Sequence, residues 1–448
     1  MKATHITRPA LLFVLCAMLV FSSFTTAPAN EYAKTVQFLD KLFEDNGLTE
    51  YYSNFKRYFV MPYSDDKMRA VTPFIKKLSD DPVKAIEIVS DFGKQIEEQS
   101  GKLDLVAILD VIGRTFGYDM PKDPPEFVKE KDPQKLLEQL YTVVETAGGD
   151  AVMATDRALI SNDRFTSYNK MATTVRRLAE NVYLNYTASQ KLADSLAKTK
   201  TEIWIDVISA LRNSGDVDLR ALWTASRTMA FLSRDDVLKH IYDVMRNADW
   251  DKPDEHKWAE GSVYYYKKYG AGRVIVGGPG RTTYKKSAAL IIELGGNDTY
   301  EYAASSQDNV PASLVIDFEG SDKYVSDRFE ARTVGAILGT SMLIDVEGAD
   351  TYESPLIGIG AGFYGSSILV DKEGSDRYKG DAFCCGAAMY GLGILWDQEG
   401  DDKYETGPFS QGFAGPMGFG LLLDTDGDDD YEAEGTTEAP DGTKLAQS

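Results

Sequence analysis

Six times between residues 290 and 431 the chain repeats one pattern: three apolar residues, an acid, two residues, a glycine, one residue, an aspartate, one residue and a tyrosine. The copies read LIIELGGNDTY, LVIDFEGSDKY, MLIDVEGADTY, ILVDKEGSDRY, ILWDQEGDDKY and LLLDTDGDDDY. Their leading acids, Glu293, Asp317, Asp345, Asp371, Asp397 and Asp424, lie 24, 28, 26, 26 and 27 residues apart. One such unit cannot bury its own apolar face, so a period of this size implies coils that stack on one another.

Aligned on the leading acid, the residue four places earlier is always small: Ala289, Ser313, Ser341, Ser367, Gly393, Gly420. Six places earlier stand Gly339, Gly365, Gly391 and Gly418. A short strand, a tight turn and a second strand beginning at the tyrosine account for these columns. Stacked in register at about 4.8 Å, equivalent residues pair and small ones sit where coils pass closely. The tyrosines Tyr300, Tyr324, Tyr352, Tyr378, Tyr404 and Tyr431 then form a ladder. An acid-free copy precedes the array, Ile275–Tyr284, with Gly277, Gly280, Thr282 and Tyr284 in the acid, glycine, aspartate and tyrosine slots. It reads as a capping coil. The expected architecture is a multidomain α plus β chain. An all-α domain precedes a parallel β-helix or β-roll-like solenoid of about six to seven coils.

Stacking repeats a charge problem. Copies two to six carry three acids per turn, the sets being Asp317, Glu319 and Asp322; Asp345, Glu347 and Asp350; Asp371, Glu373 and Asp376; Asp397, Glu399 and Asp402; Asp424, Asp426 and Asp429. The first copy has Glu293 and Asp298. Like charges about 5 Å apart cost roughly 3 kcal/mol per pair at an effective dielectric of about 20. Several such pairs exceed a typical stability of ~5–15 kcal/mol. A hard divalent cation between coils offsets the repulsion, which makes all seventeen acids candidate ligands. Alternatively, the aspartates cap tight turns through hydrogen bonds to backbone N–H groups. Capping does not require Glu319, Glu347, Glu373, Glu399 or Asp426.

The stretch EGSDKYV, Glu319–Val325, resembles the hemolysin-type (RTX) calcium-binding nonapeptide G-G-x-G-x-D-x-U-x, with Gly320, Asp322 and Tyr324 in its fourth, sixth and eighth positions. The other copies fill the same slots, from Gly296, Asp298 and Tyr300 to Gly427, Asp429 and Tyr431. The resemblance covers nine residues of each period, with an acid for the family's first glycine. It implies a β-roll whose turns trap calcium between coils. One carboxylate turn per coil gives a single row of at most about five ions.

Charge is confined to this half. From Ser287 onward there are 31 acids and 8 bases, against 39 and 38 over Asn30–Lys286. Such a surface attracts cations and repels nucleic acid and anionic lipid. Residues 1–29, with Lys2 and Arg8 before the apolar run Ala10–Phe21 and then Ala27-Pro28-Ala29, have the layout of a signal peptide. The expectation is export to the periplasm, cell surface or medium after cleavage near Ala29. No later run is long enough to span a bilayer. Residues 30–250 read as a helical domain, 251–274 as a junction, 275–434 as the solenoid and 435–448 as a disordered tail. Helical periodicity marks Pro82–Glu98, Leu103–Phe116, Pro133–Ala147, Tyr168–Leu196, Thr201–Arg212, Asp218–Phe231 and Arg234–Arg246, with caps expected at Asp81, Asp132 and Ser233. The joints Asp119–Pro125 and Ala147–Asp150 are expected to break helices.

No catalytic constellation emerges. Beyond the apolar leader only His240 and His256 remain, too few for histidine-rich zinc sites. Gly360–Gly365 matches G-x-G-x-x-G but falls among the repeat's small residues rather than at a strand–helix turn. Cys384 and Cys385 are adjacent and read as small apolar residues on opposite faces of a strand. The sequence therefore points to an exported, non-enzymatic, calcium-stabilised solenoid, with a helical domain that binds a protein or glycan at the cell envelope. The alternative is a secreted β-helix acting on acidic polysaccharides, with Arg328, Arg332 or Arg377 as base.

Overall fold

The computed structural model describes residues 74, 78, 82–120, 126–160, 217–250, 257–270, 272–302, 304–306, 310–326, 333–415, 417–433, 436–438 and 444–446. The expected signal peptide, the expected helices Tyr168–Leu196 and Thr201–Arg212, the expected cap at Asp81, His256, Arg328 and Arg332 lie outside them. The chain divides into two compact units, one of residues 1–102 with 114–118, the other of 103–113 with 119–448. In the first, α1 (Pro82–Ser100) brings Phe92 to 5.8 Å from Phe74, which also meets Phe116 at 5.7 Å.

The second unit holds α2 (Leu105–Thr115, as far as Gly113), α3 (Pro133–Ile160), α4 (Leu219–Ala230) and α5 (Asp235–Arg246), followed by the strands. Asp132 caps α3, its carboxylate accepting from Lys135 N at 3.0 Å, as its position before Pro133 predicts. Ser233 does not cap α5. A 3-10 turn over Phe231–Ser233 takes its hydroxyl to Ala230 O at 2.8 Å, and Arg234 fills the cap position without a side-chain bond. The break expected at Ala147–Asp150 is also absent, since α3 runs unbroken through Gly148 and Gly149. A Cβ on Gly148 would stand 3.1 Å from Ala312 Cβ, so glycine here marks a helix pressed against a strand rather than its end.

The strands form a parallel solenoid, and each repeat contributes to two columns of one sheet. The first column stacks part of β2 (Gly272–Tyr284), β3 (Leu290–Glu293), β6 (Ala312–Asp317), β9 (Thr340–Asp345), β12 (Ser366–Asp371), β15 (Leu392–Asp397) and β17 (Phe419–Asp424). The second stacks the end of β2, β4 (Thr299–Glu301), β7 (Lys323–Val325), β10 (Thr351–Gly358), β13 (Arg377–Cys384), β16 (Lys403–Thr406) and β18 (Asp430–Ala433). A four-stranded sheet of β5 (Ser305–Ser306), β8 (Gly335–Ile337), β11 (Ala361–Phe363) and β14 (Ala388–Met389) closes the coil. Register follows the repeat: Asp317 pairs with Asp345, Asp345 with Asp371, Asp371 with Asp397 and Asp397 with Asp424. The unequal spacing of the copies is taken up between each tyrosine strand and the next leading strand, partly before and partly after the third face.

The solenoid makes about five turns, not six to seven. The acid-free copy does align as expected, Val276 with Ile292 and Tyr284 with Tyr300. It passes straight through the turn position as one strand, however, and so bridges the two columns instead of coiling. The last copy contributes β17 and β18, and its third face is reduced to the single bridge Ala388↔Ala414. β1 (Ala259–Tyr269) pairs antiparallel with β2 and blocks the N-terminal edge. In the stretch expected to be disordered, β19 (Thr436–Glu438) pairs with β20 (Lys444–Ala446).

Three consecutive apolar residues per repeat now have a reason. Alternation along a strand sends the middle one inward. Ile291, Val315, Leu343, Leu369 and Leu395 pack in one core with the tyrosines. Their flanking neighbours point outward yet are also buried, because α3 and α4 pack on this sheet. A sheet covered on both faces reads as a continuous apolar run. Corners between the sheets use left-handed residues repeated from coil to coil: Ile357 and Ile359, Phe383 and Cys385, Phe409 and Gln411. Each costs on the order of 1 kcal/mol. Bonds between coils, such as Gly386 N to Ile359 O at 2.9 Å, hold them in place. Cys384 and Cys385 are both buried and unbridged.

Candidate metal centre

The tyrosine ladder runs from Tyr284 to Tyr431, with successive ring centroids 4.5–4.9 Å apart and nearly parallel planes. Every hydroxyl but the last reaches the leading acid of the following coil; Tyr431 donates to Asp424 of its own coil at 2.8 Å. Tyr300 donates to Asp317 Oδ2, Tyr324 to Asp345 Oδ2, Tyr352 to Asp371 Oδ2 and Tyr378 to Asp397 Oδ2, each at 2.5 Å. Tyr284 donates in the same way to Glu293, and Tyr404 to Asp424 at 2.8 Å. The tyrosine thus fixes a carboxylate as well as filling the core.

The trailing aspartates are held by backbone. The amide of Asp322 donates to Asp350 Oδ1 at 2.5 Å, that of Asp350 to Asp376 Oδ1 at 2.6 Å and that of Asp376 to Asp402 Oδ1 at 2.7 Å. Asp402 N reaches Asp429 Oδ1 at 3.0 Å, and Asp298 N donates to Asp322. Capping is therefore real, but it joins neighbouring coils and uses one oxygen of each carboxylate. The glycine of the motif lets the turns stack this closely. A Cβ on Gly374 would lie 2.3 Å from Gly348 O, and one on Gly400 1.9 Å from Gly374 O.

The carboxylates themselves converge. Five groups of three carboxylates have ligand atoms within 4.8 Å of one another: Asp298, Asp317 and Asp322; Asp322, Asp345 and Asp350; Asp350, Asp371 and Asp376; Asp376, Asp397 and Asp402; Asp402, Asp424 and Asp429. Each combines a leading acid with the trailing aspartates of its own and the preceding coil, so Asp322, Asp350, Asp376 and Asp402 each serve two groups. Among these residues Oδ1 of Asp317, Asp345, Asp371 and Asp397 is buried with no hydrogen-bond partner. The same holds for Oδ2 of Asp298, Asp322, Asp350, Asp376 and Asp402. A buried polar atom without a partner costs about 1–3 kcal/mol, more if charged.

Loss of water is the largest force raising the carboxyl pKa values here, and neighbouring carboxylates add to it. Burial pushes Asp350 up to about 10 and Asp298 to about 7. Asp345 and Asp371 rise well above the usual range for the same reason. Asp317, Asp322, Asp376, Asp397, Asp402 and Asp424 rise as well, chiefly through burial. Three ionised carboxylates 4.8 Å apart repel by roughly 3 kcal/mol per pair at an effective dielectric near 20. Each group needs either protons or a cation. Oxygen-only donors at this spacing suit a hard divalent ion with ligands at about 2.3–2.6 Å.

Not every expected ligand joins a group. Glu319, Glu347, Glu373, Glu399 and Asp426 are exposed at the turn surface. Their main chains take part instead, the carbonyls of Glu347, Glu373, Glu399 and Asp426 accepting from Gly320, Gly348, Gly374 and Gly400 at 3.0 Å. Glu293 is buried and belongs to none of the five groups; its carboxylate occupies the space a Cβ on Gly277 would need, 1.8 Å from Glu293 Oε2. The longer acid faces the acid-free copy and ends the row. The tyrosine hydroxyls and the sharing of trailing aspartates were missed in the sequence. The available signal was the fixed spacing of leading acid, trailing aspartate and tyrosine in every copy, which stacking in register sets side by side. Arg377 lies outside, bonded to Glu405 at 2.7 Å, and His240 Nε2 lies 2.8 Å from Glu130 O. No protein-family model, curated protein or solved structure matches the chain.

Proposed function

We propose that this chain is an exported divalent-cation-binding protein whose β-solenoid is held together by a row of calcium ions, one between each pair of stacked acidic turns. The observation that carries the reading is the set of orphaned carboxylate oxygens. Tyrosine hydroxyls and backbone amides satisfy one oxygen per aspartate, nine of the eleven keep a buried oxygen without a partner, and the carboxylates meet in threes. Eleven aspartates serve five groups, so five divalent cations bring ten positive charges against eleven negative. Near-neutrality at that stoichiometry is what a filled row requires. Calcium is the member of this class that accepts irregular oxygen cages, and the resemblance of the turns to hemolysin-type repeats supports the same ion. Cations here are structural, because the carboxylates face the interior. The helical part serves as a docking module at the cell envelope, with α3 and α4 already committed to the solenoid sheet.

Melting the protein in EDTA and in millimolar calcium tests this. Calcium should raise Tm by more than about 10 °C, since a ligand that binds only the native state adds its binding free energy to stability. Equal melting temperatures would leave the aspartates as protonated caps. The polysaccharide-cleaving alternative needs a cation open to substrate, and no observation favours it.

A further inference from the structure

The five groups are not equivalent. In the first four every carboxylate is buried, whereas in the fifth Asp402 is buried and Asp424 and Asp429 are only half-buried. The bonds that hold the fifth are longer, 3.0 Å from Asp402 N to Asp429 and 2.8 Å from Tyr404 to Asp424, against 2.5–2.7 Å in the coils from Asp350 to Asp402. The two ends of the solenoid differ in the same sense. At the N-terminal end β1 pairs with β2, and Trp258 and Tyr266 pack on the core. At the other end, β17 and β18 are the outermost strands among the described residues. Leu422 is only half-buried there, Tyr431 is 48% exposed and all of β18 is exposed. Yet Asp402, 3% exposed, still has an oxygen without a partner.

We propose that the group Asp402, Asp424 and Asp429 is an exchangeable cation site whose occupancy sets the order of the last coil, while the four inner groups hold their cations as permanent parts of the fold. This rests on the cation-binding reading above. An inner cation leaves only after the coils beyond it have opened, and opening costs rise from a frayed end toward a packed centre. The fifth leaves when β17 and β18 lift off. Asp402 stays behind in the fourth group, so the inner row survives the loss. The last coil then follows ambient calcium by mass action, at concentrations that leave the inner row filled.

The test combines cation counting with hydrogen exchange on the full chain. Calcium-loaded protein is challenged with EGTA, and retained calcium is counted by native mass spectrometry over time. The expected record is five cations falling quickly to four, with the remainder lost about tenfold or more slowly. Over the same interval amide protection should disappear from 419–433 alone. Asp429→Asn should bind four cations, lack the fast phase and show the unprotected last coil at any calcium concentration. Asp350→Asn, which damages the second and third groups, should lose slow cations and keep the fast one. Loss of all five in a single phase, or a fast phase that survives Asp429→Asn, would overturn the proposal while leaving the calcium row intact. Protein that binds no cation at all would remove the row itself.

Discussion

At the scale of single residues, two carboxylates in the same turn have opposite fates. Asp371 is buried, accepts a 2.5 Å bond from Tyr352, keeps its other oxygen without a partner and belongs to a three-carboxylate group, whereas Glu373 two positions later is exposed. Asp371→Asn should therefore lower calcium stoichiometry from five to four by equilibrium dialysis, and Glu373→Gln should leave it at five. Glu373→Gln should also change the urea-derived stability by less than about 0.5 kcal/mol, as surface changes do. Tyr352→Phe removes the donor to Asp371 without altering the ladder's shape. It should cost about 1–3 kcal/mol in chemical denaturation, the penalty of leaving a buried acceptor unpaired. A variant Tyr352→Phe as stable as the parent would mean that the hydroxyl bond makes no net contribution.

At the scale of elements, α3 crosses β6 at Gly148, where the nearest atom to an added Cβ is Ala312 Cβ at 3.1 Å. Gly148→Leu should force the two apart and cost about 1–3 kcal/mol, read as a fall in urea midpoint with unchanged slope. An unchanged midpoint would show that the helix can shift without loss. This crossing also shows where sequence reasoning stops. The repeat alone was enough for the strand columns, their register and the tyrosine ladder, because a period-two strand in a fixed coil leaves few alternatives. Nothing local distinguishes a Gly-Gly pair that ends a helix from one that admits a strand more than 150 residues away. The same limit applies to the middle acids. Composition placed Glu319 and its equivalents beside the aspartates, but side-chain direction in a turn depends on backbone geometry that the motif does not carry. The aspartates of the site were legible because they recur at the same two places in every copy. Their hydrogen-bond partners were not, since those come from the next coil.

For the whole molecule, the proposed cation row makes protons and cations competitors for the same buried oxygens. The buried aspartates hold protons more tightly folded than unfolded, as Asp350, raised from 3.8 to about 10, illustrates. In chelated protein the folded state therefore carries more protons between those values. Its stability is greatest below the unfolded carboxyl range and falls as pH rises toward the folded values. On the proposed reading calcium reverses the sign, because filling the row would displace protons and become easier as pH rises. Melting from pH 5 to 9 should give a falling Tm in EDTA and a level or rising one in calcium; parallel curves would contradict the competition. The connections after each tyrosine strand have a further consequence. The spacing between copies varies from 24 to 28 residues while the stretch from leading acid to tyrosine never changes. A coil is thus a cassette with one rigid segment and one elastic one. Each additional cassette inserts two interior aspartates, and on the proposed reading one divalent ion to match them, so the solenoid's electrical balance would not depend on its length. Excising residues 372–397, one whole period, should yield a shorter protein that folds and binds one calcium fewer. With its cations in place, a chain organised this way could lengthen by tandem duplication or shorten by deletion of whole periods without building up charge inside.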